Sequence, residues 1–115
     1  MKQLVKKLVE AYGPSGYEEQ TRNIIHDEIK GLADEIRVDA LGNLIARKGS
    51  KGEGGLKIIL AAHMDEIGVM VAYIDKKGFA RFTTIGGVSP FTLIGGRVRF
   101  ANGAIGAISI DEGVD

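Results

Sequence analysis

The segment AAHMDEIG, residues 61–68, sets an imidazole and two carboxylates at the end of a nearly unbroken apolar run, Leu56 to Ala62. Apolar residues resume at once with Ile67, Val69, Met70 and Val71. In a strand, residues i and i+2 point to the same side, so His63 and Asp65 can project together while Glu66 takes the other side. A carboxylate beside an imidazole has two uses. It fixes the tautomer of a metal-binding histidine from the outer shell, or it orients a general-base histidine toward a nucleophile. Active sites of open α/β sheets lie outside the carboxyl ends of strands, and His63 stands at such an end. A polar strand terminator with no chemistry is the competing reading. A terminator usually turns on Gly, Asn or Pro, and none of these lies between Ala62 and Ile67.

The other polar residues offer less. His26 falls mid-helix between Ile25 and Asp27, where an exposed side chain is expected. Glu66 is assigned a structural or rim role. Gly13-Pro14-Ser15-Gly16 lacks the G-K-[ST] ending of a phosphate loop, and a helix cap accounts for it better. Gly86-Gly87 and Gly95-Gly96 read as turns, and Lys76-Lys77 and Arg97 with Arg99 as solvated or interface charges. The absence of cysteine excludes a disulfide framework, a Cys-ligated zinc and a thiol nucleophile.

The elements that must position His63 follow from the hydrophobic period. Leu4, Val5, Leu8, Val9 and Tyr12 recur at helical spacing and predict a helix over 2–12, stopped by Gly13-Pro14. Ser15-x-x-Glu18 has the form of a capping box for a second helix running to about Leu32. Both helices are expected to be half-buried against one face of a sheet. Ile36, Val38 and Ala40 alternate as a strand, Leu41-Gly42-Asn43 turns, and Leu44 to Ala46 returns. Residues 48–55 read as an exposed loop, and Leu56 to Ala62 as a strand covered on both faces. Beyond Ile67 the pattern becomes all-β. A strand from Val69 to Ile74 turns at Asp75-Lys76-Lys77-Gly78 and returns from Phe79 to Thr84. Strands over 97–100 and 104–110 then flank Asn102-Gly103, a pair suited to a type I′ turn.

The chain has 115 residues, 17 of them glycine, with 44% hydrophobic and only 6% aromatic content, so its core must be aliphatic. Fifteen basic and fifteen acidic residues give a formal net charge of zero, which leaves no basic footprint for nucleic acid. No apolar run approaches the ~20 residues of a membrane-spanning helix, and no signal peptide is evident. The cytoplasm is the expected compartment. The buried-type strand has too few helices to cover it and the β half is short of strands. The chain therefore reads as the front of something longer.

Four stretches, GPSGYEEQTRNII (13–25), DALGNLIARKG (39–49), AAHMDEIGVMV (61–71) and TIGGVSPFTLIGGRVRF (84–100), occur in this order. Together they resemble the N-terminal part of the tetrahedral metallo-aminopeptidases, a family that includes glutamyl aminopeptidase-like proteins and members labelled cellulase or endoglucanase. The resemblance covers essentially the whole chain. It implies an α/β fold, with residues 1–70 the front of the catalytic domain (two helices on a sheet) and residues 71–115 the start of an inserted β-rich assembly domain. It also implies two divalent metal ions, zinc or cobalt, peptide substrates, and a homo-oligomer of dimeric building blocks up to a dodecamer. His63 matches the family's first metal ligand. Asp65 matches the catalytic carboxylate that supports that histidine. The remaining ligands and the general-base glutamate would lie beyond residue 115, so this chain by itself is expected to bind metal weakly and to be inactive. Two rivals stand beside this reading. A non-catalytic oligomerisation module would use only the β surface. A glycoside hydrolase would need two carboxylates about 5 to 9.5 Å apart across the bond, which the adjacent Asp65 and Glu66 fit poorly.

Overall fold

The computed structural model describes residues 1–49 and 55–110. The chain forms two compact units, Met1–Glu66 and Ile67–Asp115. It is a mixed helix–strand protein, and among the described residues its strands pair as three separate two-stranded antiparallel sheets.

In the first unit, helix α1 spans Lys2–Glu10 and helix α2 spans Glu19–Ile29. Helix α1 is shorter than its apolar period predicts, because the backbone is already extended at Ala11. Leu4 and Leu8 are half-buried, whereas Val5 and Val9 stay exposed, so the apolar stripe is only half used. The Lys7 ammonium meets Glu28 at 2.7 Å and ties α1 to α2 at the surface.

The start of α2 departs from the predicted capping box. Glu18 is the N-cap residue, and its carboxylate accepts from the amide of Gly16 at 2.6 Å, not from Ser15. The Ser15 hydroxyl is turned elsewhere, as described below. Past Ile29 the chain continues in turns, with the Leu32 amide bonded to the Ile29 carbonyl at 2.8 Å. Strands β1 (Glu35–Val38) and β2 (Leu44–Arg47) pair in the order the alternation predicts, from Glu35 opposite Arg47 to Val38 opposite Leu44. The Asp39 side chain fastens their turn by accepting from the amides of Leu41 and Asn43. The bond from the Asn43 side chain first, then those from the amides of Asn43 and Leu41, hold the Asp39 carboxyl below the usual carboxylate range.

The predicted buried strand over Leu56 to Ala62 is not realised. Those residues carry no regular secondary structure, and Leu56, Ile58, Ile59 and Leu60 are 90%, 74%, 89% and 94% exposed. The physical reason is a missing neighbour. A strand of this composition is stable only between other strands and beneath helices on both faces, and no described strand pairs with it. The exposed loop expected over 48–55 lies largely outside the described residues.

The second unit holds β3 (Gly68–Ile74) and β4 (Ala80–Ile85), then the short helix α3 (Pro90–Leu93), which the sequence pattern had not predicted, and β5 (Arg97–Arg99) with β6 (Ile105–Ala107). An irregularity between Val71 and Tyr73 shifts the β3–β4 register. The three hairpins among the described residues use one turn design. Gly42, Gly78 and Gly103 each donate to the carbonyl three residues earlier and each has a φ between 85° and 88°. That is a three-residue loop whose last position must be left-handed, hence glycine. The type I′ turn predicted at Asn102-Gly103 is therefore corrected: Gly103 is left-handed, but among the described residues no non-glycine residue has positive φ.

Burial in the first unit is concentrated in one place. Ala11, Gly13, Pro14 and Thr21 are its buried residues among those described. They surround the loop between α1 and α2, which is where the candidate site is built.

Candidate functional site

The loop between the helices and the segment after Met64 are tied by backbone. The Glu66 amide donates to the Gly13 carbonyl at 2.9 Å, and the Gly13 amide donates to the Glu66 carboxylate at 3.2 Å. Pro14 and Glu66 form an isolated parallel bridge. Glu66 is thus a structural clamp, the role its strand parity predicts. Residues 14–17 then make a tight turn, closed by the Tyr17 amide on the Pro14 carbonyl at 2.8 Å, with Gly16 at φ +87°. A type II turn needs a left-handed third residue, and Gly16 supplies it. Ser15 is left at the corner.

From that corner the Ser15 hydroxyl donates to Asp65 Oδ2. The other carboxylate oxygen, Oδ1, lies 2.9 Å from His63 Nδ1, and the Asp65 carbonyl lies 3.1 Å from the same nitrogen. The Ser15 hydroxyl first, and His63 second, hold the Asp65 carboxyl below the usual carboxylate range, so it is ionised at neutral pH. Both groups facing Nδ1 are acceptors, so Nδ1 carries the proton. The lone pair of a neutral His63 is then on Nε2. The His63 side chain is 86% exposed. Its free nitrogen is therefore presented to the surroundings, the form of histidine that a metal ion takes.

An open cleft adjoins these residues, with Leu8, Ala11, Thr21 and Ile25 on its helical side and His63 to Glu66 on the other. Gly13 lies beneath it. A Cβ at Gly13 would collide with Thr21 Oγ1, on a buried and β-branched side chain that cannot swing clear easily. Gly13→Ala is expected to lower the stability of the chain by about 1–3 kcal/mol, as overpacking does. Thermal unfolding checks this. Combining it with Thr21→Ala should cost less than the sum of the two single changes.

The structure brings His63 and Asp65 together, as the i, i+2 spacing predicts. It adds Ser15 and Gly13, which sequence reasoning had assigned to a cap. Ser15 and Asp65 lie 50 residues apart, and no local pattern encodes their meeting. His26 is exposed on α2, 3.8 Å from Asp27. Among the described residues no group of three or more His, Asp or Glu is placed to hold a metal ion. A catalytic zinc takes three protein ligands, so the described residues fit one ligand position and its supporting carboxylate.

The site thus offers one oriented, exposed imidazole beside an ionised carboxylate. Comparisons with known proteins give its family. Residues 42–112 match the family model described as M42 glutamyl aminopeptidase. The chain belongs to that family. A putative aminopeptidase of Acetivibrio thermocellus is 57% identical over 109 residues, which cover 95% of this chain and 32% of that protein. The TET aminopeptidase of Thaumarchaeota archaeon SCGC AB-539-E09 superposes with a TM-score of 0.82 at 38% identity, over 94% of this chain and 30% of that one. A further solved structure, PhTET1-12s, a dodecamer, has a TM-score of 0.73 at 42% identity over 84% of this chain and 28% of its own. The chain thus spans about a third or less of the length of the curated relatives it matches.

Proposed function

We propose that this chain is the N-terminal part of a metal-dependent aminopeptidase that releases N-terminal amino acids from peptides. The observation that carries the reading is the His63–Asp65 pair in a member of this family: Nδ1 is committed to an ionised carboxylate and Nε2 is left for a divalent cation. His63 would hold one metal ion, zinc or cobalt, and Asp65 would fix its ring. The chemistry such ions supply when bound is activation of a water molecule and polarisation of the scissile carbonyl. Further ligands and the general base would come from the longer protein. Residues 1–70 would belong to its catalytic domain, and residues 71–115 would begin an inserted β-rich assembly domain. Homo-oligomerisation follows from the same reading, supported by the dodecameric relative. No helix among the described residues is long and apolar enough to cross a membrane, and a cytoplasmic site is proposed.

Release of amino acid from a panel of aminoacyl chromogenic substrates tests this. The longer protein should turn over with zinc or cobalt and lose activity on chelation, while the 115-residue chain should give no turnover. Amino-acid release that survives chelation would overturn the metal-dependent reading, and hydrolysis of a cello-oligosaccharide with no amino-acid release would favour the glycoside hydrolase. That rival has little support in the geometry, because Asp65 is engaged by Ser15 and His63 while Glu66 is engaged by Gly13.

A further inference from the structure

We infer that Ser15 is a positioning residue for the metal site: its hydroxyl locks the Asp65 carboxylate, and through it the ring of His63. The inference rests on the metal-site reading above and assigns a role to the GPSG loop that the reading leaves unused. A carboxylate that touches only an imidazole can rotate about its own axis and carry the imidazole with it. Here both oxygens are engaged, Oδ1 by His63 and Oδ2 by Ser15. The plane of the carboxylate is therefore set by a group on a different segment. That segment is itself held. The Pro14–Tyr17 turn fixes the corner on which Ser15 stands, and the paired bonds between Gly13 and Glu66 lock the loop one residue away from Asp65. The helix connection thus grips the metal-binding segment twice, once by backbone and once by the serine hydroxyl. Partners of this outer kind set ligand orientation and metal affinity.

The serine also has a ready local alternative. In a capping box it would accept from the Glu18 amide. Instead Gly16 takes the Glu18 carboxylate, and α2 begins without a side-chain bond at its N-cap. The hydroxyl that could have capped the helix is spent on Asp65, which is what a positioning role requires.

The test is zinc affinity of the full-length protein, measured in its metal-free form by competition with a chromogenic chelator. Ser15→Ala should weaken zinc binding by about tenfold, the lower end for an outer-shell partner. Ser15→Thr, which keeps the hydroxyl, should restore it. The metal-free unfolding temperature of Ser15→Ala should fall by no more than the loss of one hydrogen bond allows, a fall that Ser15→Thr reverses, and at saturating zinc its KM for an aminoacyl substrate should be unchanged. Parental zinc affinity in Ser15→Ala, alongside weakened affinity in His63→Ala, would overturn the inference and leave the metal-site reading standing. Parental affinity in His63→Ala would remove both. A fall in metal-free stability with no rescue by threonine would make Ser15 a structural residue only, and would also overturn it.

Discussion

Replacing His63 by alanine in the full-length protein is expected to weaken divalent metal binding by more than about a hundredfold, beyond what outer-shell changes cost, and to remove measurable aminopeptidase turnover. The reason is the ligand count. A catalytic zinc has few protein ligands, and among the described residues the oriented donor is the Nε2 of His63. Changes at Asp65 separate geometry from charge. Asp65→Asn can still accept from Nδ1 through its carbonyl oxygen and donate its amide to the Ser15 hydroxyl oxygen, so the ring stays oriented while the negative charge is lost. Its expected cost in metal affinity is about tenfold. Asp65→Ala frees the ring and removes the charge, and should cost nearer a hundredfold. Calorimetric titration with zinc and with cobalt, together with turnover at saturating metal, gives the ranking. If His63→Ala kept both metal affinity and turnover, His63 would not be a ligand. If Asp65→Asn and Asp65→Ala were equal, charge and not orientation would be what Asp65 supplies.

What could be read in the sequence depended on how local the cause was. The three hairpins were legible because alternation and a glycine that must be left-handed both act within a few residues. Even there, the Asn102-Gly103 pair pointed to the wrong turn, since one left-handed residue suffices when the loop has three residues. The His63–Asp65 pair was legible from its close spacing, although the strand alternation behind that expectation is not realised at residues 63–65. Ser15 was not, because a serine three residues before a glutamate has a plausible local partner, and only the tertiary approach of Asp65 outbids it. The strand over Leu56 to Ala62 failed for the opposite reason. Its composition states a preference that the described residues cannot satisfy, because the neighbours that would pair with it and cover it are not among them.

That unmet preference leads to the second large effect: the 115-residue chain, prepared alone, is expected to self-associate. In an extended strand Leu56, Ile58 and Leu60 share one side and Ile59 lies on the other, so both faces are apolar, and all four are at least 74% exposed. Burying one such side chain fully is worth about 1.5–3 kcal/mol. A few of them docking on a second copy would offset much of the cost of association. Unpaired strand backbone adds a template for edge-to-edge pairing. Static light scattering across a dilution series should therefore show an average mass that rises with concentration. Ile58→Lys with Leu60→Lys should return the isolated chain to monomer without loss of its helices, because these side chains are exposed there. In the full-length protein the same pair should have the reverse consequence. If the run becomes a central strand, two unpaired charges are buried, each at a cost of several kcal/mol, and the protein should fail to fold. A parent chain that stays monomeric at all concentrations would show that this segment is not the unsatisfied strand its composition describes. A lysine pair tolerated in the full-length protein would show that the segment stays at the surface there too.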